Sequence, residues 1–302
     1  VFDSRYEAQV RLLLRCLPEI GRHACFALKG GTAINLFVRD MLRVSVDIDL
    51  TYLPLKPRNE ALTEISETLL TIGHDIERRI PGSQVHASRM QGHVVKLLVS
   101  TSEAVIKIEP NLILRGSIYS PRNMDLCPVA QNHFGAFVSV PTLSIADLYG
   151  GKLCAALDRQ HPRDFFDVKV LLDDTGTTPE IRRSFVVHLA GHNRPMNELL
   201  SPRLLDIRSL YDDQFVGMTQ EEVSLQGLRE VQEKLAHRIV QSLDDDERAF
   251  LLSMKRGEPE WDRLGVDNLD QLPALQWKCL NIKKMSPEKR ASELDRLQRV
   301  LS

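Results

Sequence analysis

A chain of 302 residues with 43% hydrophobic and 26% charged side chains is long enough for one large core or two ordinary ones. Its net charge of −2 excludes a global nucleic-acid footprint, so any RNA contact must come from a local basic patch. Cysteines 16, 25, 127, 154 and 279 are odd in number and lack C-x-x-C spacing, which reads as reduced packing residues. With no signal-peptide pattern and no apolar run of transmembrane length, the expected location is the cytoplasm, away from any membrane.

Val10, Leu13, Leu14 and Leu17 recur at helical spacing and predict a first helix over Tyr6 to Leu17. Cys25-Phe-Ala-Leu28 is a short apolar strand, broken by Gly30-Gly31. From Thr32, the residues Ala33, Leu36, Phe37 and Met41 return to helical spacing, and Arg43-Val-Ser-Val-Asp-Ile-Asp-Leu50 reads as a second strand. The unit is therefore strand, glycine turn, helix, strand.

One apolar residue separates Asp47 from Asp49, so on a strand both carboxylates share a face, roughly 7 Å apart along the backbone. Two like charges so placed call for a cation. Hard oxygen donors suit magnesium, with manganese as the alternative, because that ion binds one or two carboxylates and fills its shell with water and substrate phosphate. Gly30 and Gly31, lacking side chains, let backbone N–H groups approach a phosphate at a helix N-terminus.

Gly30-Gly31-Thr32 followed by Asp47-Ile-Asp49 resembles the signature of the DNA polymerase β-like nucleotidyltransferase superfamily. The longer string, Gly-Gly-Thr-Ala33 with Arg43-x-Ser45-x-Asp47-Ile-Asp49-Leu50, is similar to AbiEii-type nucleotidyltransferase toxins of abortive-infection toxin–antitoxin systems. The resemblance implies an NTP substrate held at Gly30, Gly31, Thr32 and Ser45. It also implies Mg2+ on Asp47, Asp49 and a third acid, an RNA acceptor such as the 3′ end of tRNA whose modification blocks translation, and a cognate antitoxin.

Further along, Leu62, Ile65, Leu69 and Ile72 predict a helix over Glu60 to Ile72. Strands are expected at 76–80, 84–88, 94–99 and 104–109. Glu109 closes the last strand; its bland reading is a solvated strand end, whereas the resemblance assigns it the third metal-binding acid. Residues 111–141 show turn signals, with a short strand at Val138-Ser-Val140. A helix from Ser144 carries Lys152, and after Pro162 another carries Asp164 and Asp167 on one face. Spacing alone favours solvent-facing charges there. Lys152 to Arg159 with Arg163-Asp164-x-x-Asp167 nevertheless looks like the second block of AbiEii-type toxins, which implies that Lys152 clamps the triphosphate and that Asp164 is catalytic. Asp164 would either orient Lys152 and Arg163 or act near the incoming hydroxyl; Asp167 reads as structural.

Beyond residue 175 the patterns are helical: 180–190, 202–210, 221–243, 246–255 and a charged terminal helix 287–301. Arg182, Arg183, Arg194, Arg203 and Arg208 make the start of this region basic, a solvated helix face unless it grips an RNA backbone. His161, His188 and His192 lack a zinc motif, and Phe165, Phe166, Trp261 and Trp277 read as core. The expected architecture is α/β (α+β): a mixed-sheet nucleotidyltransferase domain over residues 1–174 and a mostly helical domain over 175–302. Two alternatives stay open, a transferase of the same fold acting on a protein or small molecule and a catalytically inert nucleotide-binding module.

Overall fold

The computed structural model describes residues 2–302 and divides into two compact units, Val1–Ser144 with Val216–Glu222, and Ile145–Phe215 with Val223–Ser302. The first is a mixed seven-stranded sheet. In chain order it contains α1 (Ser4–Gly21), β1 (Phe26–Lys29), α2 (Gly30–Ala33) running into a π-helical turn at Ile34–Val38, and β2 (Asp47–Tyr52). There follow α3 (Arg58–Arg79), β3 (Gln84–Met90), β4 (His93–Ser100), β5 (Val105–Asn111), β6 (Arg122–Asp125), α4 (Pro128–Phe134) and β7 (Ser139–Thr142). The strand order is β3-β4-β5-β2-β1-β7-β6, with β2 parallel to β5 and antiparallel to β1.

The two faces of β2 differ because its sequence alternates. Ile48, Leu50 and Tyr52 are wholly buried, together with Phe26, Leu28, Ile106 and Ile108 from the neighbouring strands, while α1 and α3 pack on the sheet with Val10, Leu13, Leu17, Ile65, Leu69 and Ile72 inward. Burial of each such aliphatic side chain contributes up to about 1.5–3 kcal/mol. The opposite face keeps Asp47, Asp49 and Glu109. The segment entering β2 is fixed by residues from much later in the chain, since Val44 N–H donates to Met218 O (2.8 Å) and Gln220 N–H to Leu42 O (3.1 Å).

Three local expectations are corrected. Ile76–Ile80 is not a strand: α3 runs on to Arg79, past Gly73, where a Cβ would fall 3.2 Å from Val85 Cγ1, so the glycine serves close packing on β3 and breaks nothing. Residues 111–141 hold β6 and α4 as well as turns; α4 starts with Pro128 at its first position and ends at Gly135 with φ +62°. Residues 202–206 are not helical, because the Gln160 side chain accepts from Leu205 N–H (3.0 Å) and donates to Arg203 O (2.8 Å), satisfying the backbone in extended form.

The second unit is helical throughout its regular elements: α5 (Ile145–Arg159), α6 (Pro162–Asp174), α7 (Pro179–Ala190), α8 (Met196–Leu200), α9 (Arg208–Gln214), α10 (Leu225–Ser242), α11 (Asp245–Arg256), α12 (Pro273–Lys283) and α13 (Pro287–Leu301), with two short 3₁₀ turns. It begins at Ile145, so α5 and α6 lie with the later helices and the boundary expected near residue 175 falls inside this unit. The cause is close packing of α5 on α7: a Cβ on Gly150 would fall 2.6 Å from Phe185 N, and Ser184 Oγ donates to Asp147 Oδ1 (3.1 Å). Phe165 and Phe166 are core residues, whereas Trp277 is 59% exposed and is not. The charged terminal helix α13 packs on α11 through Leu297 and Leu301.

Candidate nucleotide and metal site

Parallel pairing sets Asp47 opposite Lys107 and Asp49 opposite Glu109, so the three acids lie on one face of β2 and β5. Lysines interleave them. Lys107 Nζ is 3.3 Å from Asp47 Oδ1, Lys96 Nζ from β4 is 3.4 Å from Glu109 Oε2, and Lys29 is the cross-strand partner of Asp49. Among the described residues no three His, Cys, Asp or Glu side chains are drawn together as a metal-holding group. The donor set still fits a hard divalent ion, which needs only one or two protein carboxylates when phosphate completes its shell. Asp47 and Asp49 supply two, and Glu109, half-exposed, stands one strand away.

The glycine turn abuts this pair. Gly30 adopts φ +73°, and a Cβ there would lie 2.5 Å from Asp49 Oδ2, so the turn approaches the carboxylate as closely as a bare backbone permits. A Cβ on Gly31 would lie 2.6 Å from Arg43 Nη2 and 3.0 Å from Ser45 Oγ. Arg43 is 2% exposed and donates to Val44 O (2.9 Å), which sets a buried positive charge against the turn. Thr32 is buried, its hydroxyl donating to Asp47 O (2.5 Å), and Asn35 Nδ2 donates to Gly31 O (3.0 Å). Thr32 and Asn35 thus tie the turn to the acid strand. The start of α2 has no side-chain cap.

In the second unit Lys152 is buried and donates to Asp164 Oδ1 (2.8 Å) and lies 2.9 Å from Asp167 Oδ2. Arg159 donates from Nε to Asp164 Oδ2 (2.5 Å) and from Nη2 to Oδ1 (2.9 Å). Burial raises the energy of the Asp164 carboxylate, yet the charges and hydrogen bonds of Lys152 and Arg159 outweigh it and hold its pKa well below the ordinary value. Of the two arginine-patch members with the most partners, Arg182 bonds Glu247 (3.1 Å) and Asp244 (3.4 Å), and Arg194 bonds Asp158 (2.9 Å).

Residues 11–278 match the model of the AbiEii family, described as nucleotidyl transferase toxins of type IV toxin–antitoxin systems. The chain belongs to that family. The fold agrees: MenT4, a nucleotidyltransferase toxin from Mycobacterium tuberculosis H37Rv, superposes with a TM-score of 0.60 over 99% of this chain and 96% of its own, at 16% identity. A search of curated proteins returned no match.

As a member of the AbiEii family, the chain carries its acids and its glycine turn in one unit, where Gly30 abuts Asp49, Gly31 abuts Ser45, and Asp47, Asp49 and Glu109 share one face of β2 and β5. Lys152 and Asp164 form their own cluster in the other. Sequence reasoning quoted Arg43 in the family string without giving it a role, and assigned none to Lys96 or Lys107. The same period-two alternation that exposed the aspartates offered the signal, since Lys107 precedes Glu109 by two residues. No helix among the described residues is long and apolar enough to cross a membrane.

Proposed function

We propose that this AbiEii-family member is a magnesium-dependent transferase that moves a nucleoside monophosphate from an NTP to an RNA 3′ end, with tRNA as the acceptor, and so stops translation in the cytoplasm. The observation that supports this reading best is the in-register pairing of Asp49 with Glu109, with Asp47 on the same face and the Gly30 turn against Asp49.

The backbone of Gly30 and Gly31 receives the triphosphate, backed by the buried Arg43 and by Ser45. Asp47 and Asp49 would hold Mg2+ or Mn2+, and Glu109 would face the acceptor side. When bound, the ion would polarise the α-phosphate and ease ionisation of the acceptor hydroxyl. That hydroxyl oxygen forms the new bond to the α-phosphorus, the bond from the α-phosphorus to the bridging oxygen of the β-phosphate breaks, the hydroxyl proton passes to a carboxylate or water, and pyrophosphate departs.

Lys152 is assigned to the departing charge. The second block of the family resemblance supports this assignment, and in the structure the buried Lys152 ammonium engages Asp164 and Asp167. Asp164, ion-paired with two cations, is a poor base, which favours the orienting role for it over proton abstraction. Membership of a toxin–antitoxin family supports a cognate antitoxin as partner.

The test is incubation of the purified chain with each α-labelled NTP, Mg2+ and separate pools of cellular RNA and cellular protein. Label on the 3′ end of RNA is the expected result. Label on protein alone would overturn the acceptor assignment, and label on neither would overturn the transfer.

A further inference from the structure

At the carboxyl ends of β2 and β5, the strands that bear Asp49 and Glu109, the chain gathers cations away from the acid face. Arg115 follows β5, is 7% exposed, and donates from Nη1 to Lys56 O (3.0 Å), the carbonyl two residues before the first helical residue of α3. Its Nε is buried without a hydrogen-bond partner, and among the described residues it pairs with no carboxylate. Burial, and after it the like charge of Arg58, pull the Arg115 guanidinium below its ordinary pKa.

Helix α3 starts here without a side-chain cap: Pro57 occupies the capping position, and 22 residues of aligned peptide dipoles point their positive end at this corner. Stability alone would place acids at such a terminus. Besides the first-turn acid Glu60, the chain puts exposed Arg58 at the first helical position, with no ion-pair partner among the described residues. Of the nearby acids, Glu60 lies in the first turn, and Glu64 is already taken by Lys56 Nζ (2.6 Å) and Tyr52 OH (2.5 Å). An uncapped terminus, an exposed arginine without an ion pair and a buried arginine whose Nε lacks an acceptor describe an anion site in want of its anion.

We propose that the N-terminus of α3, with Arg58 and Arg115, binds a backbone phosphate of the RNA acceptor. Asp49 lies three residues before Tyr52, a distance of roughly 10 Å along β2, whose end accepts Gly116 N–H (2.8 Å) from the loop that carries Arg115. A phosphate held at this corner belongs to a nucleotide other than the reacting one, so the site positions the acceptor and leaves the NTP untouched. The inference rests on the RNA-acceptor reading.

The test uses the full chain, fluorescein-labelled bulk tRNA and anisotropy, with neither NTP nor divalent metal present, so that its result does not depend on whether transfer to RNA is detected. Arg58→Ala is expected to weaken binding by about 10-fold at low salt and to flatten the slope of log K against log salt by about one. Arg58→Lys should restore most of the affinity and the slope. In a second arm, inorganic phosphate is expected to raise the melting temperature of the unaltered chain more than that of Arg58→Ala or Arg115→Gln. Equal tRNA affinity and equal slope for Arg58→Ala would overturn the proposal. A melting shift with phosphate but no tRNA binding by the unaltered chain would also overturn it, assigning the corner to free phosphate.

Discussion

The two glycines of the turn make a paired test, because their missing Cβ atoms would strike different neighbours. Gly30→Ala would place a methyl group 2.5 Å from Asp49 Oδ2, and ordinary contact begins near 3.4 Å, so the carboxylate must retreat by as much as 0.9 Å or the turn must open. The residue also sits at φ +73°, where an alanine is strained. Together these cost about 1–3 kcal/mol, which lowers the melting temperature by about 2–4 °C for each kcal/mol in a unit of this size. Displacement of that order at a reacting centre costs on the order of 100-fold in rate. Gly31→Ala instead meets Arg43 Nη2 at 2.6 Å, the far end of a long side chain that can shift, although its burial limits the room. Labelled NMP transfer and thermal melting on both variants provide the assay. Gly30→Ala should lose nearly all transfer with a modest loss of stability, and Gly31→Ala should lose less transfer and respond mainly in KM for the NTP. A Gly30→Ala protein with unaltered turnover and melting would refute the claim that the turn is built against Asp49.

Three further outcomes are expected. Asp49→Ala should abolish growth inhibition on expression while circular dichroism and melting stay native; a soluble, fully toxic variant would remove Asp49 from the site. Lys107→Ala should tighten Mn2+ binding, read by electron paramagnetic resonance without NTP, by up to about 5-fold, the worth of one exposed ion pair with Asp47; weaker binding would contradict competition between the lysine and the ion. Asp164→Asn should destabilise the chain at pH 7 by about 3–5 kcal/mol, because it leaves Lys152 with half of its buried countercharge. The folded pKa of Asp164 is depressed, so its stabilisation is present above the unfolded value of about 4 and is lost as pH falls below it. Urea titrations should therefore show the gap between the variant and the unaltered chain narrowing below about pH 4, and a constant gap would rule out this ionic origin.

The parts of the site that were legible in the sequence are local. Period-two spacing put Asp47 and Asp49 on one face, and adjacent glycines announced the turn, because each signal depends on neighbouring residues only. Glu109 is different: its alignment with Asp49 depends on parallel pairing of strands sixty residues apart, which no periodicity encodes, and the family resemblance supplied it. The Lys152 cluster exposes the opposite weakness. Charge on a helix reads as solvent-facing, yet Lys152, Asp164 and Asp167 bury one another, since each neutralises what would otherwise be too costly to desolvate. The strand expected at Ile76–Ile80 failed for a similar reason. Helix α3 runs past Gly73, whose bare Cα lets β3 pack against it, and Ile76 continues the helical series begun by Leu62, Ile65, Leu69 and Ile72.

The lysines of the acid face bear on how such a site exists without collapsing under its own charge. Three carboxylates on adjacent strands repel, and like charges set side by side destabilise a sheet. Here Lys107 answers Asp47, Lys96 answers Glu109, and Lys29 stands opposite Asp49, so each acid has a cation from a neighbouring position in the register. The Lys107–Asp47 and Lys96–Glu109 pairs lie at or near the surface, where an ion pair contributes about 0–1 kcal/mol, enough to offset the repulsion and too little to hold the side chains in place. In the proposed reaction a metal-bound triphosphate would bring divalent charge for the acids and phosphate oxygens for the lysines, so both partners of each broken pair would find a new one. The proposed exchange would thus keep the face balanced with and without its substrate.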